Sequence, residues 1–350
     1  MPKLHFSSAT LAAIGAAILF GGSTPFAKQL VGNVSPLLLA GLLYLGSGIG
    51  LGLFKLIRDR NWHSGLSKNE WGWLLGAIFF GGILAPILLM TGLTQISAST
   101  ASLLLNLESV LTAVLAWVFF KEHTDKRIVL GMFMIVAGGV LLSLSKQTEL
   151  GNWTGAVTIA AACLCWAIDN NLTRKISSSD SLFIAASKGL TSGTVNISLA
   201  FIIGLTFPTW HTINYALIVG FLGYGVSLVL FVLALRGLGT ARTGAYFSTA
   251  PFIGAAIAII FFHEPTTTSF WIAAFLMGIG VWIHLTENHE HTHTHEVLYH
   301  NHVHTHDEHH QHKHDFTWDG KEPHTHPHEH EPLKHSHQHY PDIHHRHKHK

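Results

Sequence analysis

The sequence predicts an all-α membrane protein: ten transmembrane helices as two inverted five-helix repeats, followed by a disordered C-terminal tail. Three observations carry that prediction. First, 48% of the 350 residues are hydrophobic and only 12% are charged, about half the charge of an ordinary soluble domain. Second, one stretch occurs twice, as SASTASLLLNLESVLTAVLAWVFFKE over Ser97–Glu122 and as GTARTGAYFSTAPFIGAAIAIIFFHE over Gly239–Glu264. An offset of 142 residues, without a gap, carries Leu93 onto Leu235, Phe119-Phe120 onto Phe261-Phe262, Glu122 onto Glu264 and Gly138 onto Gly280. A long apolar span repeated at fixed distance marks a duplicated membrane unit. Third, composition changes abruptly near Glu287. Residues 1–286 hold 15 Lys/Arg and 9 Asp/Glu, whereas residues 287–350 hold 6 Lys/Arg, 11 Asp/Glu and 23 of the 29 histidines.

A helix crossing the hydrocarbon core needs about 20 mostly apolar residues. Ten stretches meet this: 9–31, 36–57, 71–93, 98–120, 128–145, 153–172, 181–206, 215–236, 243–262 and 269–286. The first begins after Lys3 and resembles a signal peptide, but Pro25, Phe26 and Lys28 stand where a cleavage site would be wanted, so it reads as an uncleaved span. Connections are short and carry turn chemistry at Gly32-Asn33, Ser177–Asp180 and Pro208, so consecutive helices are antiparallel neighbours. The domains are therefore 9–145, 153–286 and the tail 287–350.

Basic residues set the orientation. With a cytoplasmic N-terminus, inner loops hold Arg58, Arg60, Lys68, Lys121, Lys126, Arg127, Arg174, Lys175, Arg236 and Arg242; outer loops hold Lys146, with Lys28 near an outer helix end. Both termini are expected in the cytoplasm, in a multi-pass protein of the plasma membrane, a bacterial inner membrane. Five spans per repeat is odd, so the halves lie oppositely in the bilayer, a common plan of secondary transporters. Neither a phosphate loop nor a cofactor fingerprint occurs. The chain is read as no enzyme, with no catalytic residue, no required cofactor and no nucleic-acid partner; its partners are lipid and a small solute or metal cation, with a coupling proton and a homodimer also considered.

Three doubled features bear on family. The fourth and ninth spans start in small residues, Ser97–Ser102 and Gly239–Gly244; both end in FF-x-E at Glu122 and Glu264. Each half opens with Leu19-Phe20-Gly21 or Leu164-Cys165-Trp166, with Lys28 or Arg174 eight residues after the aromatic Phe20 or Trp166. On these features residues 9–286 resemble the drug/metabolite transporter superfamily, specifically transporters with two EamA-type repeats. The resemblance implies a substrate cavity between inverted halves, alternating access and usually export, of solutes ranging from amino acids to nucleotide sugars. It also implies a proline in the middle of each repeat's fourth helix. Pro251 keeps it; the first copy has Ser109, preceded by Glu108, so a proline kink is not expected there.

Charge at the bilayer centre costs about 2.5–3.5 kcal/mol on insertion scales, so it normally faces a cavity or a partner. Glu108 falls mid-span and is read as a cation or proton site, against a plain alternative of a protonated acid bonded to a neighbouring helix. Asp169-Asn170-Asn171 lies near the inner end of the sixth span, with Lys188 at similar depth in the seventh; an Asp169–Lys188 pair is weighed evenly against a transport role. Asn106 and Asn196 are pathway or interhelical-glue candidates. Lys28 is read as snorkelling, His284 as packing, Cys163 and Cys165 as reduced packed thiols, and Trp71, Trp73, Trp153, Trp271 and Trp282 as an aromatic belt. The expected transport pathway is thus Glu108, Asp169, Asn170, Asn106 and Lys188.

In the tail, H-x-H recurs at His289, His291, His293 and His295; at His300, His302, His304 and His306; and at His324, His326, His328 and His330. Alternate residues of an extended chain share a side, and imidazole suits transition metals, so Ni, Co or Zn binding is expected in a tail too polar to form a core. The favoured function is export of divalent transition metal by proton antiport, Glu108 exchanging a proton for the cation and the tail gathering metal. The alternatives are a metabolite exporter whose tail is a metal-responsive regulator, and a membrane-anchored metal buffer.

Overall fold

The computed structural model describes residues 8–120, 126–144, 153–176 and 179–286, except 61, 63, 65 and 69, together with 290–294, 299–304, 324–329 and 334–338 of the tail. Ten spans run in order: α1 (Ser8–Leu30), α2 (Pro36–Asp59), α3 (Trp71–Leu93), α4 (Ala98–Phe119), α5 (Lys126–Leu144), α6 (Trp153–Arg174), α7 (Ser181–Ile202), α8 (Trp210–Ala234), α9 (Thr243–Phe262) and α10 (Thr268–Leu285). Eight are long and apolar enough to cross a membrane by length and composition, and α10 is slightly shorter. The exception, α7, is 22 residues long but carries Lys188, Ser192 and Asn196; Ser192 and Asn196 are fully buried, which removes them from lipid. Large apolar side chains such as Phe119, Phe133, Phe201 and Phe275 are instead exposed, as a lipid-facing surface requires. The belt tryptophans Trp71, Trp73, Trp153, Trp271 and Trp282 are exposed as well. Caps set several starts: Ser35, Ser97, Asp180, Thr209 and Thr267 each accept a backbone N–H from the first turn of the following helix, satisfying otherwise orphaned donors.

The halves are joined through repeat-equivalent helices. A Cβ on Gly48 of α2 would lie 2.3 Å from the Leu190 nitrogen of α7, so only hydrogen fits; Gly41 lies against Ile197 and Leu45 against Gly193. One number rises as the other falls, so α2 and α7 cross antiparallel. Leu190 is also 142 residues after Gly48. Equivalent helices meeting antiparallel at equivalent residues define a two-fold axis that inverts one half onto the other. The second crossing, of α5 with α10, sets Ile135 against Gly280 and Met277 against Gly138, again residues related by the same offset. Each half's first helix packs into the other half, α1 against α8 and α9, and α6 against α3 and α4.

Two irregularities also repeat. A π-helical segment, Ile78–Leu84, interrupts α3, and a second, Phe221–Val226, interrupts α8, at the repeat offset. Such segments break the i→i−4 ladder and are frequent at functional sites. The fourth helix of each half is likewise broken. In α4 the α-helix stops at Leu104 and resumes at Leu107; in α9 it stops at Phe247 and resumes at Ala250. The expectation of no break without proline is thus overturned. Asn106 Nδ2 donates to the Leu103 carbonyl (2.9 Å) and Ser109 Oγ to the Asn106 carbonyl (2.8 Å). Side chains that bond back to the main chain compete with the helix ladder, and the same bond recurs at the repeat offset in α9, where Ser248 Oγ donates to the Ala245 carbonyl (2.9 Å).

Between α8 and α9 the expected loop at 237–242 is absent, because helical turns continue from Ser227 to Phe247. Sixteen residues of straight helix would separate Phe231 from Phe247 by about 24 Å. Their rings are 4.8 Å apart, so the chain reverses direction without leaving helical hydrogen bonding. The start of α8 also moves from the expected 215 to Trp210, and α7 ends at Ile202 rather than 206, before Gly204 at φ +75°.

The tail is a separate unit, Asn288–Lys350. Where the sequence suggested no structure, its described residues form four short strands, β1 (Glu290–Thr294), β2 (Tyr299–His304), β3 (His324–Glu329) and β4 (Lys334–Gln338). The period of two that aligns the histidines is also the strand period. β1 pairs antiparallel with β4, and β2 with β3.

Candidate functional site

The polar groups expected inside the membrane gather where α3, α4, α6 and α7 meet. The break in α4 makes Glu108 a first-turn residue of the helix Leu107–Phe120, at the positive end of its dipole. From α6, Asn170 Nδ2 donates to Glu108 Oε1 at 2.9 Å and reaches Thr112 Oγ1 at 3.4 Å. Asn171 Nδ2 donates to the carbonyls of Thr112 (3.3 Å) and Ala167 (2.8 Å), pinning α6 to the same turn of α4.

One residue before Asn170, Asp169 is buried and forms an ion pair with Lys188 of α7. Its other oxygen, Oδ1, accepts from Thr173 Oγ1 at 3.0 Å. The pair weighed from the sequence is therefore formed. It sits directly on the π-helical segment of α3, since a Cβ on Gly81 would fall 1.9 Å from Asp169 Oδ2. On the same segment the Gly81 carbonyl, freed from the α-helical ladder, accepts from the Tyr44 hydroxyl (2.7 Å) and the Trp166 indole N–H (3.0 Å). Tyr44 continues to Tyr224 of the second π-helical segment, ring to ring at 5.6 Å, and Tyr224 to Phe20 at 6.0 Å. An aromatic row thus links the two interrupted helices beside the ion pair.

The remaining expected residues divide. Asn106 is buried and turned back on Leu103, with Met277 Sδ 4.0 Å away; it shapes the break in α4 and is not joined to Glu108. Asn196 is buried with neither amide atom hydrogen-bonded, as is the Ser192 hydroxyl. His284 Nε2 lies 3.0 Å from the Ile128 carbonyl, a packing contact, and the Cys163 thiol meets the Leu104 carbonyl at 3.7 Å. Lys28 does not snorkel: its ammonium donates to the Leu93 and Ile96 carbonyls. Among the described residues no three His, Cys, Asp or Glu are grouped so as to hold a metal ion. Tyr44 was missed in the sequence and Trp166 was seen only as part of a motif. A signal was available, because a tyrosine or tryptophan deep in an apolar span needs a partner for its O–H or N–H.

Of the twelve tail histidines expected as ligands, His289, His295, His306 and His330 lie outside the described residues, as does Glu122. The others fall in strands whose register sets histidine opposite histidine: His291 with His337 and His293 with His335 in one ribbon; His300 with His328, His302 with His326 and His304 with His324 in the other. His335 and His337 were not among the expected ligands.

Inverted five-helix halves, paired π-helical interruptions, broken fourth helices and a buried ion pair beside a mid-span carboxylate define a multi-pass membrane transporter rather than an enzyme. The chain matches the EamA-like transporter family over residues 7–144 and 153–286. It belongs to that family, in the drug/metabolite transporter superfamily, and carries two EamA domains. It is 29% identical over 287 residues to an uncharacterized transporter of Methanothermobacter thermautotrophicus, covering 77% of this chain and 84% of that one. It is 25% identical to the uncharacterized transporter YvbV of Bacillus subtilis, over 72% of this chain and 83% of the relative. A solved structure, described only as the crystal structure of a protein, superposes with a TM-score of 0.58 over 79% of this chain and 96% of its own, at 19% identity; that likeness concerns the fold alone.

Proposed function

We propose that the chain is a secondary transporter that exports a small organic solute bearing both charges, such as an amino acid, through the locus of Glu108, Asp169 and Lys188. The observation that carries this reading is the fixed cation. Lys188 lies against Asp169 one residue from the Asn170–Glu108 bond, so the locus offers one ammonium and two carboxylates. A solute ammonium complements Glu108, a solute carboxylate complements Lys188, and the row Tyr44–Tyr224–Phe20 suits an apolar side chain. Glu108, whose partner is a neutral amide rather than a cation, is assigned the exchange of a proton for the solute. The basic residues orient the Asp180 end of the bundle to the cytoplasm and the Glu264 end outward. In this reading the tail binds Ni²⁺, Co²⁺ or Zn²⁺ and adjusts transport to cytoplasmic metal.

The metal-export reading has one observation in its favour, the cross-strand histidine register. It requires a divalent cation to pass the Lys188 ammonium. Cells expressing wild type, Glu108→Gln or a chain ended after Glu287 separate the two readings when cell metal and released amino acids are both measured. The proposal expects release of a solute that Glu108→Gln abolishes and the shortened chain retains, with cell metal as in empty cells. Metal depletion by wild type, lost in Glu108→Gln, would overturn it.

A further inference from the structure

The end of the bundle bearing Glu264 carries a contact between the halves that no part of the solute site explains. Glu264 follows α9, in the second half. Its carboxylate accepts the Ala98 and Ser99 amide N–H groups of α4, in the first half, both at 2.8 Å. The next amide, Thr100, goes to Ser97 Oγ at 3.2 Å, so the first three donors of α4 are all satisfied, two of them by a residue 166 and 165 positions away. Charge-assisted bonds of this kind are about twice as strong as neutral ones. The same reversal between α3 and α4 is gripped from its carbonyl side, where Lys28 of α1 donates to Leu93 and Ile96. Beside both, Phe26 of α1 meets Phe262 of α9 edge-on with centroids 5.5 Å apart. A carboxylate on the amides and an ammonium on the carbonyls grip the seven residues Leu93–Ser99, while the aromatic contact joins the α1 and α9 helices.

The opposite end lacks this arrangement in its described residues. The repeat offset carries Ala98 and Ser99 onto Thr240 and Ala241. Those residues lie inside the helical run Ser227–Phe247, where no helix N-terminus is presented. Two equivalent ends of an inverted pair thus differ: one offers free amides that a carboxylate caps, and the other keeps its amides within a helix.

We propose that Glu264 and Lys28 form the gate at this end of the pathway, and that releasing the α4 amides from Glu264 opens it. The proposal depends on alternating access and not on which solute is carried.

Ser102 lies one turn further in, buried, its hydroxyl without a partner, beside Gly254 of α9, and it serves as a reporter. Ser102→Cys is placed in a chain whose Cys163 and Cys165 are changed to Ala, and intact cells receive a membrane-impermeant maleimide. The expected result is slow labelling when Glu264 is present and labelling at least about tenfold faster with Glu264→Ala, a change of about 1.4 kcal/mol in gate opening, with a smaller rise for Lys28→Gln. A cysteine pair at Phe26 and Phe262 joined as a disulfide before labelling should restore protection in Glu264→Ala, and reduction should remove it again; general unfolding would not be reversed by one cross-link at that end. Equal labelling with and without Glu264, or failure of the cross-link to protect Ser102→Cys, would overturn the gate. Neither outcome bears on the solute.

Discussion

Gly48 packs against Leu190, the residue that holds its own place in the second repeat. That contact fixes the two-fold axis on the α2–α7 crossing, and everything said of one half can be tested on the other through it. A side chain at Gly48 would meet backbone at 2.3–2.9 Å, with no flexible group to give way.

Gly48→Ala is therefore expected to destabilise the bundle by about 1–3 kcal/mol, the usual range for overpacking. Gly72→Ala, where nothing lies within 4 Å of a new Cβ, should leave stability unchanged. Thermal unfolding of the two purified variants in detergent is the check. Similar losses in both would remove the axis from this crossing.

The pairing of Asp169 with Lys188 has a structural and a transport role that mutation can separate. Removing one partner of a buried pair costs about 3–5 kcal/mol, whereas replacing both is often neutral. Asp169→Asn and Lys188→Met alone should each lower the melting temperature, and the double variant should recover it. If the locus carries solute, the recovered double variant remains inactive. Full activity in the double variant would reduce the pair to interhelical glue.

Two donors hold the Gly81 carbonyl. Tyr44→Phe removes one of the two hydrogen bonds to this carbonyl, a loss of about 1 kcal/mol; Tyr44→Phe with Trp166→Phe leaves the carbonyl unsatisfied. Hydrogen exchange at 78–84 should quicken in the single variant and more so in the double, while exchange at 221–226 stays constant. Uniform exchange in all three proteins would show that the π-helical segment does not depend on these donors.

Asp180 caps α7 through Leu182 and Phe183 and pairs with Lys55. Burial pushes its carboxyl up, but the Lys55 ammonium and the capping amides outweigh it, and the net shift is below the ordinary value. A carboxyl depressed in the folded state contributes stability that is present above its unfolded pKa, about 3.9, and is lost as pH falls through the folded value. Wild type should therefore melt higher than Asp180→Asn at about pH 7, and the gap should begin to narrow below about pH 4 and close as pH falls through the folded value. A gap that persists in acid would assign the effect to packing alone.

For the tail, full-length protein should bind Zn²⁺ or Ni²⁺ and a chain ended after Glu287 should not. Binding should weaken below about pH 6.5, since ligating imidazole must be neutral. If the cross-strand register matters, changing His335 and His337 to Ala should weaken binding as much as changing their partners His293 and His291. Millimolar affinity in the intact protein would leave the tail a solubilising segment.

Much of this architecture was legible because duplication writes itself into sequence. The 142-residue offset located both halves, and the basic loops and odd span count implied their inversion. Two opposite charges at one depth made an Asp169–Lys188 pair one of two readings, weighed evenly against a transport role. The break in α4 was misread because proline was taken as its cause, whereas Asn106 and Ser109 produce it by bonding to backbone. The helical passage through 237–242 was hidden by glycines that read as a loop. Glu264 was visible only as a repeated letter, because its partners are backbone amides, which no residue type announces. Tyr44 and Trp166 bind a carbonyl freed by a π-helical turn, a feature with no local signature beyond glycines at 81, 82, 223 and 225.

The most direct test of the central claim is counterflow in proteoliposomes holding the purified protein, loaded with unlabelled amino acids and a metal indicator. The account predicts uptake of at least one labelled amino acid, abolished by Glu108→Gln and by Lys188→Met, unchanged when the chain ends after Glu287, and no flux of Ni²⁺ or Zn²⁺. Metal flux in wild type that Glu108→Gln abolishes, with no amino-acid counterflow, would contradict it.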